Sequence, residues 1–322
     1  AYILRGRLRI SGNRGRLNIS LVVRDTGTTS WTQSYDGDTS DIFAFCDELI
    51  EKSVSGLRIQ INAFDDNRVA DLPDDELSVS ELRSRAASNF YKCTMESWER
   101  GRSLMDRALR LNPDDSMALA MRAHAASLLA AGRFEAMNPQ MVGSLADDLD
   151  RAIELSPRSD YIFTARSFFK VCTTRDAAGG MQDAERAVSL NPTYHIAHDS
   201  LAMANMLNGN LDGAIKDFKK AIQLSESDPL LPYRLFGLAI AEHLTGENDA
   251  AAETIDQAIQ LRANLRGYHV LKAMICRAKG DESGANDAET RAAQLPKEPS
   301  VLALCPPLPD DHADFVAQLS PN

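Results

Sequence analysis

The sequence has no run of the roughly 20 uninterrupted apolar residues that a helix needs to cross a bilayer. Its first residues also lack the charged segment followed by an apolar one that marks a secretory signal. Of its 322 residues, 44% are apolar and 25% are charged, proportions that are ordinary for a globular protein. These features predict a soluble chain with no membrane partner.

Cysteine is scarce and scattered. The chain has five cysteines, an odd number, and no two of them form a CxxC motif. This spacing encodes neither a disulfide framework nor a zinc site, and we expect a protein of the reducing cytoplasm. The positions are Cys46, Cys93, Cys172, Cys276 and Cys305.

Basic residues are too few for a general nucleic-acid binder. The chain carries 35 Lys and Arg against 46 Asp and Glu, which gives a formal net charge of -11, whereas phosphate contacts need clustered positive charge. We therefore expect no nucleic-acid partner. Residues 1–24 are a local exception, because they contain six arginines and no acidic residue.

Sequence motifs of catalysis are also missing. There is no GxGxxG after a strand, no phosphate-binding GxxxxGKS loop and no GxSxG elbow. His195 and His198 could reach one metal ion, but a closed zinc site needs four ligands, and no cysteine or third histidine is near them in sequence. A helix-packing role for His198 is the favoured alternative. We predict no catalytic residue, no cofactor and no metal ligand in this chain.

What the chain does have is one ending that occurs six times: RALRLNP, RAIELSP, RAVSLNP, KAIQLSE, QAIQLRA and RAAQLPK. The leucines in these endings are separated by 44, 35, 34, 37 and 34 residues, so the period is about 34. That length fits one helix–turn–helix unit whose helices bury a stripe against the neighbouring units. The leucines are Leu111, Leu155, Leu190, Leu224, Leu261 and Leu295.

Small residues within the units have a steric function. Ala214 stands seven residues before Ala221, and two helical turns place both on one face, where they allow neighbouring helices to approach closely. A glycine followed by a polar residue separates the two helices of a unit in NGN (208–210), TGE (245–247) and KGD (279–281). Glycine permits the positive φ of a helix C-cap. The pattern predicts an α-solenoid of about six units.

These units resemble tetratricopeptide repeats. The match is fullest over residues 195–228, where Gly209 and Phe218 stand at the family's characteristic spacings. The resemblance implies a mostly helical solenoid over residues 79–296 and a capping segment over residues 297–322. It is specific for the fold and much less so for the function.

The first 62 residues change to alternating periodicity. In YILRGRLRI, the side chains of Tyr2, Leu4, Leu8 and Ile10 point to one face and the arginines to the other, which predicts a half-buried strand. LNISLVV and TSWTQSY complete a three-stranded antiparallel sheet. The whole is therefore expected to be a small α+β domain followed by the solenoid.

A capped amphipathic helix is predicted after the third strand. Thr39 or Ser40 would supply the N-cap, and residues 63–78, which include DDNR and DLPDDE, would form an acidic linker. The apolar stripe of the helix consists of Ile42, Phe45, Leu49 and Leu57.

Residues 2–50 resemble the second half of a small α/β domain, related to the TolB amino-terminal domain. In many bacterial class III adenylate cyclases, and in some winged-helix regulators, this domain precedes tetratricopeptide repeats. The resemblance implies that residues 1–62 are part of that domain and that a catalytic or DNA-binding domain lies upstream. The first strand would then have an open edge, which either a second copy of the chain or the acidic linker would cover.

We therefore expect a non-catalytic protein–protein interaction and regulatory module of a bacterial signalling protein. The C-terminal region of an adenylate cyclase is the first hypothesis, and the sensing or oligomerisation half of a winged-helix transcription regulator is the alternative. A free-standing enzyme is disfavoured, because the paired metal-binding aspartates of a cyclase domain have no counterpart here.

The family resemblance also implies a partner-binding surface, because first helices line a concave face that binds a peptide or helix. The corresponding positions are mainly apolar and rich in methionine, which suits an adaptable contact; burial between units is the alternative for each side chain. The Lys and Asn clamp of chaperone-binding relatives is not present. The positions are Phe169, Cys172, Asp199, Met203, Met206, Tyr233, Phe236, Ile240, His243, Val270, Met274 and Arg277.

Arg5, Arg7 and Arg9 form a second candidate surface on the first strand. One interpretation is a solvated face, or a face in contact with the acidic helices. The other is a contact with a partner or with a nucleotide phosphate.

Overall fold

The computed structural model describes residues 2–24, 26–41, 61, 66–67, 69–133, 137–225, 228–296 and 307–319. For residues 132 and 133 it describes the backbone alone. The predicted apolar stripe of Ile42, Phe45, Leu49 and Leu57 lies outside the described residues, and so does the helix that it belongs to.

Three antiparallel strands open the chain, as the alternating pattern predicted: β1 (Tyr2–Ser11), β2 (Arg14–Val23) and β3 (Thr29–Asp38), in the order β1-β2-β3. The register places Leu4 opposite Leu21, and Leu21 opposite Trp31. Arg9 lies opposite Arg16, which is in turn opposite Asp36. The apolar and polar faces are therefore continuous across the sheet.

Burial in this sheet is concentrated on β2. Ile19, Leu21 and Val22 are between 2% and 6% exposed, whereas Leu4 and Ile10 on β1 are each 53% exposed. The expectation of a half-buried first strand was therefore wrong. The reason is that β1 is an edge strand, and within the described residues only β2 pairs with it.

The described part of the acidic segment packs against the first helix of the solenoid. Val69 and Leu77 are 2% and 3% exposed and belong to a core cluster. Arg85 holds the segment through ion pairs of 3.1 Å to Asp66 and 3.0 Å to Asp74. These two carboxylates are therefore engaged at the solenoid.

Twelve helices follow in consecutive pairs within the described chain. The first three pairs are α1 (Val79–Phe90) with α2 (Met95–Leu111), α3 (Ser116–Arg133) with α4 (Pro139–Leu155), and α5 (Asp160–Phe169) with α6 (Ala177–Leu190). The last three are α7 (His195–Leu207) with α8 (Leu211–Leu224), α9 (Leu231–Leu244) with α10 (Asn248–Leu261), and α11 (Arg266–Ala278) with α12 (Glu282–Ala293). A short helix, α13 (Ala313–Leu319), packs against α11.

The turns inside the pairs form where the glycines predicted them. Gly209, Gly246 and Gly280 have φ values of 73°, 85° and 77°, a region that other residues rarely adopt. Asn210 and Asp281 then cap the following helices by accepting a hydrogen bond from the backbone N–H three residues later. The sequence therefore specifies both the end of each first helix and the start of each second one.

The third pair makes its turn differently. A π-helical turn over Lys170–Thr174 extends α5, and Arg175 takes the left-handed position with φ 54°. Asp176 caps α6 by accepting a hydrogen bond from Gly179. The irregular sequence TTRDAAGG therefore replaces the glycine turn of the other pairs with a π-helical turn that ends at Arg175.

The loop between α1 and α2 reaches the fifth pair. Cys93, in this loop, has φ 53° and is 3% exposed. Its thiol shares a hydrogen bond with the hydroxyl of Tyr233 in α9, and burial raises the pKa of the thiol to about 12. The first and fifth pairs are thus in direct contact, although three pairs separate them in the chain.

Candidate functional site

A cavity of about 440 Å³ opens on the concave face of the first four pairs. It is lined by residues of their first helices α1, α3, α5 and α7, together with the loop after α1, Trp98 of α2, Tyr194 and Leu230. We call it the N-terminal groove. Its main apolar lining consists of Phe90, Met117, Met121, Leu128, Phe168 and Met203.

His124 lies among aromatic side chains of the groove. Its ring centroid is 4.9 Å from that of Phe168, 6.0 Å from that of Phe90 and 6.1 Å from that of Tyr161. Its Nδ1 lies 3.2 Å from the Tyr161 hydroxyl. Burial lowers the pKa of His124 to about 4, so the ring is neutral at physiological pH and the groove gains no positive charge from it.

Asp199, on α7, contributes a carboxylate to the groove lining and belongs to a buried ionic network. Arg234 of α9 donates from Nε to Asp199 at 2.6 Å and from Nη2 to Asp228 at 2.7 Å. The Nε2 atom of His195 lies 2.7 Å from the same Asp228 oxygen. These four side chains join the fourth and fifth pairs and fix the position of the Asp199 carboxylate.

Burial and the neighbouring charges together set the pKa values of the groups in this network. Burial raises the pKa of Asp199, although Arg234 opposes the shift. Burial would also raise the pKa of Asp228, but Arg234 and His195 outweigh it and hold that pKa well below its usual range. The pKa of His195 is lowered, chiefly by burial. His195 therefore belongs to a structural network, and His198 packs with its Nε2 atom 2.9 Å from the carbonyl oxygen of Pro192.

Of the twelve groove positions that the resemblance implied, Asp199 and Met203 line the N-terminal groove. Met206, Phe236 and Ile240 are 0% exposed. Phe236 packs against Tyr268 with ring centroids 4.9 Å apart. The fully buried positions are packing positions of the core. Phe169 and Tyr233 are also buried, at 3% and 5% exposure.

Of the remaining positions, Cys172 lies in the π-helical turn after α5, and the others lie in the fifth and sixth pairs. Cys172, His243, Val270 and Met274 are partly buried, and Arg277 pairs at 2.7 Å with Glu289. The ring of His243 lies 6.0 Å from that of Phe315, which belongs to α13. A segment of the chain itself therefore lies over part of this surface.

The three arginines of β1 are exposed and share a face with polar residues of β2. Arg5 lies opposite Ser20, Arg7 opposite Asn18 and Arg9 opposite Arg16. On the same face, Arg16 is ion-paired with Asp36 at 2.6 Å. The structure thus brings the arginines into one row, and none of the three lines the N-terminal groove.

Sequence reasoning missed most of the groove because the first two pairs lack the family's markers. The signal was nevertheless present on α3. Met117, Met121, His124 and Leu128 recur at steps of three and four residues, the spacing of one helix face. His124 and its aromatic neighbours had no sequence motif that would have identified them.

In the described part of the chain, no group of three or more His, Cys, Asp or Glu side chains is arranged to hold a metal ion. None of the described helices combines the length and apolar character needed to cross a bilayer.

Six consecutive helix pairs with a concave groove define an α-solenoid of the tetratricopeptide type. The family model described as tetratricopeptide repeat matches residues 197–228, the unit formed by α7 and α8. The comparison therefore supports the repeat that the sequence pattern showed most fully.

One protein of similar sequence and several solved structures resemble this chain. The chain is 28% identical over 155 residues to a candidate adenylate cyclase 3 of Rhizobium meliloti (strain 1021). That match covers 48% of this chain, and the chain spans 25% of the length of the relative.

Among solved structures, PilW, a widely conserved type IV pilus biogenesis factor, superimposes with a TM-score of 0.54 at 18% identity, over 69% of this chain and 96% of PilW. The human IFIT1 dimer with m7Gppp-AAAA superimposes with a TM-score of 0.57 at 17% identity, over 68% of this chain and 51% of that one. Identities this low show the shared solenoid fold alone.

Proposed function

We propose that this chain is a non-catalytic protein–protein interaction module and that its N-terminal groove binds apolar side chains of a partner segment. The observation that supports the proposal is an open cavity of about 440 Å³ on the concave face of the solenoid, with six aromatic and three methionine side chains in its lining. Concave faces of such arrays present extended surfaces to other chains. Methionine adapts to differently shaped apolar groups.

The charges of the groove favour a peptide over a nucleic acid. Arg83 is the arginine among the described lining residues, and it is ion-paired with Asp115 at 3.0 Å. His124 is neutral, and Asp199 is held by Arg234. A phosphate backbone needs several free cations, whereas an apolar segment gains affinity from each side chain that it buries.

The biological context of the proposal is bacterial signalling in the cytoplasm. Two observations support it: the resemblance of residues 2–50 to the domain that precedes such repeats in class III adenylate cyclases, and the 28% identity over 155 residues to a candidate adenylate cyclase. The chain would then relay partner binding to a cyclase domain. In the alternative, it would serve a winged-helix transcription regulator. The sequence of the complete open reading frame distinguishes these two hypotheses, because it shows whether a cyclase domain or a winged-helix domain is encoded with this chain.

A second proposed contact is a homodimer through the edge of β1. Ile3, Leu4, Leu8 and Ile10 are between 40% and 53% exposed on this one strand. An exposed, apolar strand edge is a template for pairing with another strand. A second copy of the chain would add its own β1 and continue the sheet.

The groove is tested with a phage-displayed library of 12-residue peptides (about 12 residues is enough for three helical turns). Selection on the purified chain should enrich peptides with apolar or aromatic residues at helical spacing. Met117→Lys places a charge on the groove wall and should weaken the selected peptides at least tenfold. Met141→Lys is the matched control, because Met141 is 48% exposed on α4 and does not line the groove.

Equal affinity of the selected peptides for wild type and Met117→Lys, with the melting temperature unchanged, would refute binding in the groove. Equal losses in both variants would show a general effect of added charge and would refute it as well.

A further inference from the structure

A segment near the C-terminus lies against the last four helix pairs, apart from the N-terminal groove. Leu308 and Leu319 are 3% and 1% exposed and belong to the same core cluster as residues of α9 and α11. Phe315 and Val316 pack against that cluster. We call residues 307–319 the C-terminal strap.

The strap follows the first-helix side of the array. Pro309 lies beside Gly209 at the turn between α7 and α8. Further along, Phe315 faces His243 at the end of α9, and α13 packs against α11. The strap therefore crosses successive units, as a bound peptide would, and does not simply extend α12 as another repeat.

Arg175 clamps the beginning of the strap. Its Nη2 atom donates to the carbonyl oxygen of Leu308 at 2.7 Å and to Asp310 at 2.8 Å. The π-helical turn and the left-handed backbone at Arg175 direct this side chain, and this backbone conformation is rare for a residue other than glycine. The third helix pair thus supplies a guanidinium that donates hydrogen bonds to one carbonyl and one carboxylate of the strap.

The strap itself has the composition of a docking peptide. It carries apolar anchors at 308, 315, 316 and 319 and aspartates at 310, 311 and 314. Its helix α13 has seven residues, which is too short to be stable without the surface that it packs on. Folding of the strap is therefore coupled to docking.

We propose that the surface under the strap is a docking site for a short acidic amphipathic helix, which the strap fills in cis and which a partner segment of the same chemistry enters by displacing it. This inference goes beyond the N-terminal groove and concerns a separate surface. Either proposal, for the N-terminal groove or for the surface under the strap, can be refuted without affecting the other.

The probe is a fluorescein-labelled synthetic peptide with the sequence of residues 307–322, PLPDDHADFVAQLSPN, and binding is followed by fluorescence anisotropy. The full chain carrying Phe315→Ala and Leu319→Ala has a weakened strap and should bind the peptide at least tenfold more tightly than wild type, whose own strap competes. A peptide with the same two alanine substitutions should not bind.

Charge reversal tests the role of Arg175. In the chain with the weakened strap, Arg175→Glu should reduce peptide affinity roughly two- to fivefold, as expected for a partly exposed ion pair. A peptide that carries Asp310→Arg should bind the Arg175→Glu variant with the affinity that the unchanged peptide has for the chain with Arg175. It should not bind the chain with Arg175 more tightly than the unchanged peptide does.

Circular dichroism and thermal melting decide whether the array remains folded when the strap is weakened. A folded variant that binds the peptide no better than wild type would overturn the proposal, since the strap would then be a permanent cap. Unfolding of the array on weakening the strap would overturn it too. In wild type, hydrogen exchange should be at least tenfold faster in α13 than in α11; equal protection of the two helices would contradict displacement.

Discussion

The guanidinium of Arg234 donates to the carboxylate of Asp199 at 2.6 Å, and both side chains are largely buried. Because Arg234 lies in the first turn of α9 and Asp199 lies on α7, this contact joins the first helices of two neighbouring units. Asp228 also accepts a hydrogen bond from Arg234, so one guanidinium is shared by two buried carboxylates. The interface of the fourth and fifth pairs therefore contains a buried ionic network, and buried carboxylates are ion-paired elsewhere in the array as well, at Asp183 and Glu242.

Removing that guanidinium should destabilise the array strongly. Arg234→Met leaves Asp199 and Asp228 buried without their cation and should lower the free energy of unfolding by about 3–5 kcal/mol at neutral pH. The loss should shrink as the pH falls below about 4, because the lowered pKa of Asp228 contributes its full stability above the pKa of the unfolded carboxyl and loses it progressively below that pH. Urea unfolding measures both effects.

Arg151→Met is the control for that substitution. Arg151 pairs with Asp114 and Glu154 at the surface, where its side chain is 50% exposed. Its loss should cost far less than the loss of Arg234, because water solvates the freed carboxylates. Similar costs for the two variants would contradict the structural role of the buried network.

His124 should make the protein less stable in mild acid. Its pKa in the folded chain is about 4, whereas an unfolded histidine titrates near 6.5. Between these values the unfolded chain binds a proton that the folded chain does not, so stability falls as the pH is lowered through this range. Relative to His124→Gln, wild type should lose about 1–2 kcal/mol between about pH 7 and pH 5. Parallel pH profiles of urea unfolding would argue against the buried neutral ring.

The Cys93 thiol should be unreactive in the native protein. Its burial and its pKa of about 12 leave almost no thiolate at about pH 8. Cys172 and Cys276 are partly exposed and should be alkylated by iodoacetamide first. Peptide mapping by mass spectrometry follows the labelling, with urea-unfolded protein as the reference. Labelling of Cys93 as fast as of Cys276 would mean that the loop after α1 opens readily.

The purified chain should form no cyclic AMP from ATP with either Mg²⁺ or Mn²⁺. The reason is the lack of a catalytic grouping or of paired metal-binding aspartates in the sequence. Product detection by liquid chromatography is the assay. Turnover that persists through a second purification and disappears on substitution of residues of this chain would show that the chain is an enzyme.

A dimer through β1 should depend on its apolar side chains and on salt. In an antiparallel pairing of two β1 strands, the two-fold axis stands perpendicular to the sheet, so both copies present the same face on the same side of the continuous sheet. The rows of Arg5, Arg7 and Arg9 from the two copies then become neighbours. Dimerisation should therefore strengthen as NaCl rises from about 0.05 M to about 0.5 M, because salt screens this repulsion. Leu8→Lys should weaken it at least tenfold in sedimentation equilibrium. A monomer at every salt concentration would exclude the dimer.

Local rules account for the parts of the fold that were predictable. The strand register follows from the alternating pattern and a tight turn, and three of the helix turns follow from glycines, which tolerate positive φ without strain. Ala214, Ala221, Ala251 and Ala258 are fully buried, as close helix packing requires. Each of these features depends on neighbours a few residues away.

The groove depends on distant neighbours and was less predictable. Phe236 and Ile240 occupy positions that the family resemblance assigns to the concave face, yet both are completely buried, Phe236 against Tyr268. Conversely, Leu111 and Leu261 mark the repeat period but are each 56% exposed. Helical periodicity shows which residues share a face, and tertiary contacts decide whether that face is open.

The contact of Cys93 with Tyr233 has a consequence for how the array comes apart. An array whose units touch only their neighbours can fray from either end, one unit at a time. Here the first pair can unfold only after the contact between Cys93 and Tyr233 of the fifth pair has broken. Unfolding from the N-terminal end should therefore be more cooperative than unfolding from the C-terminal end, and the first unit should be far more protected than a terminal repeat usually is.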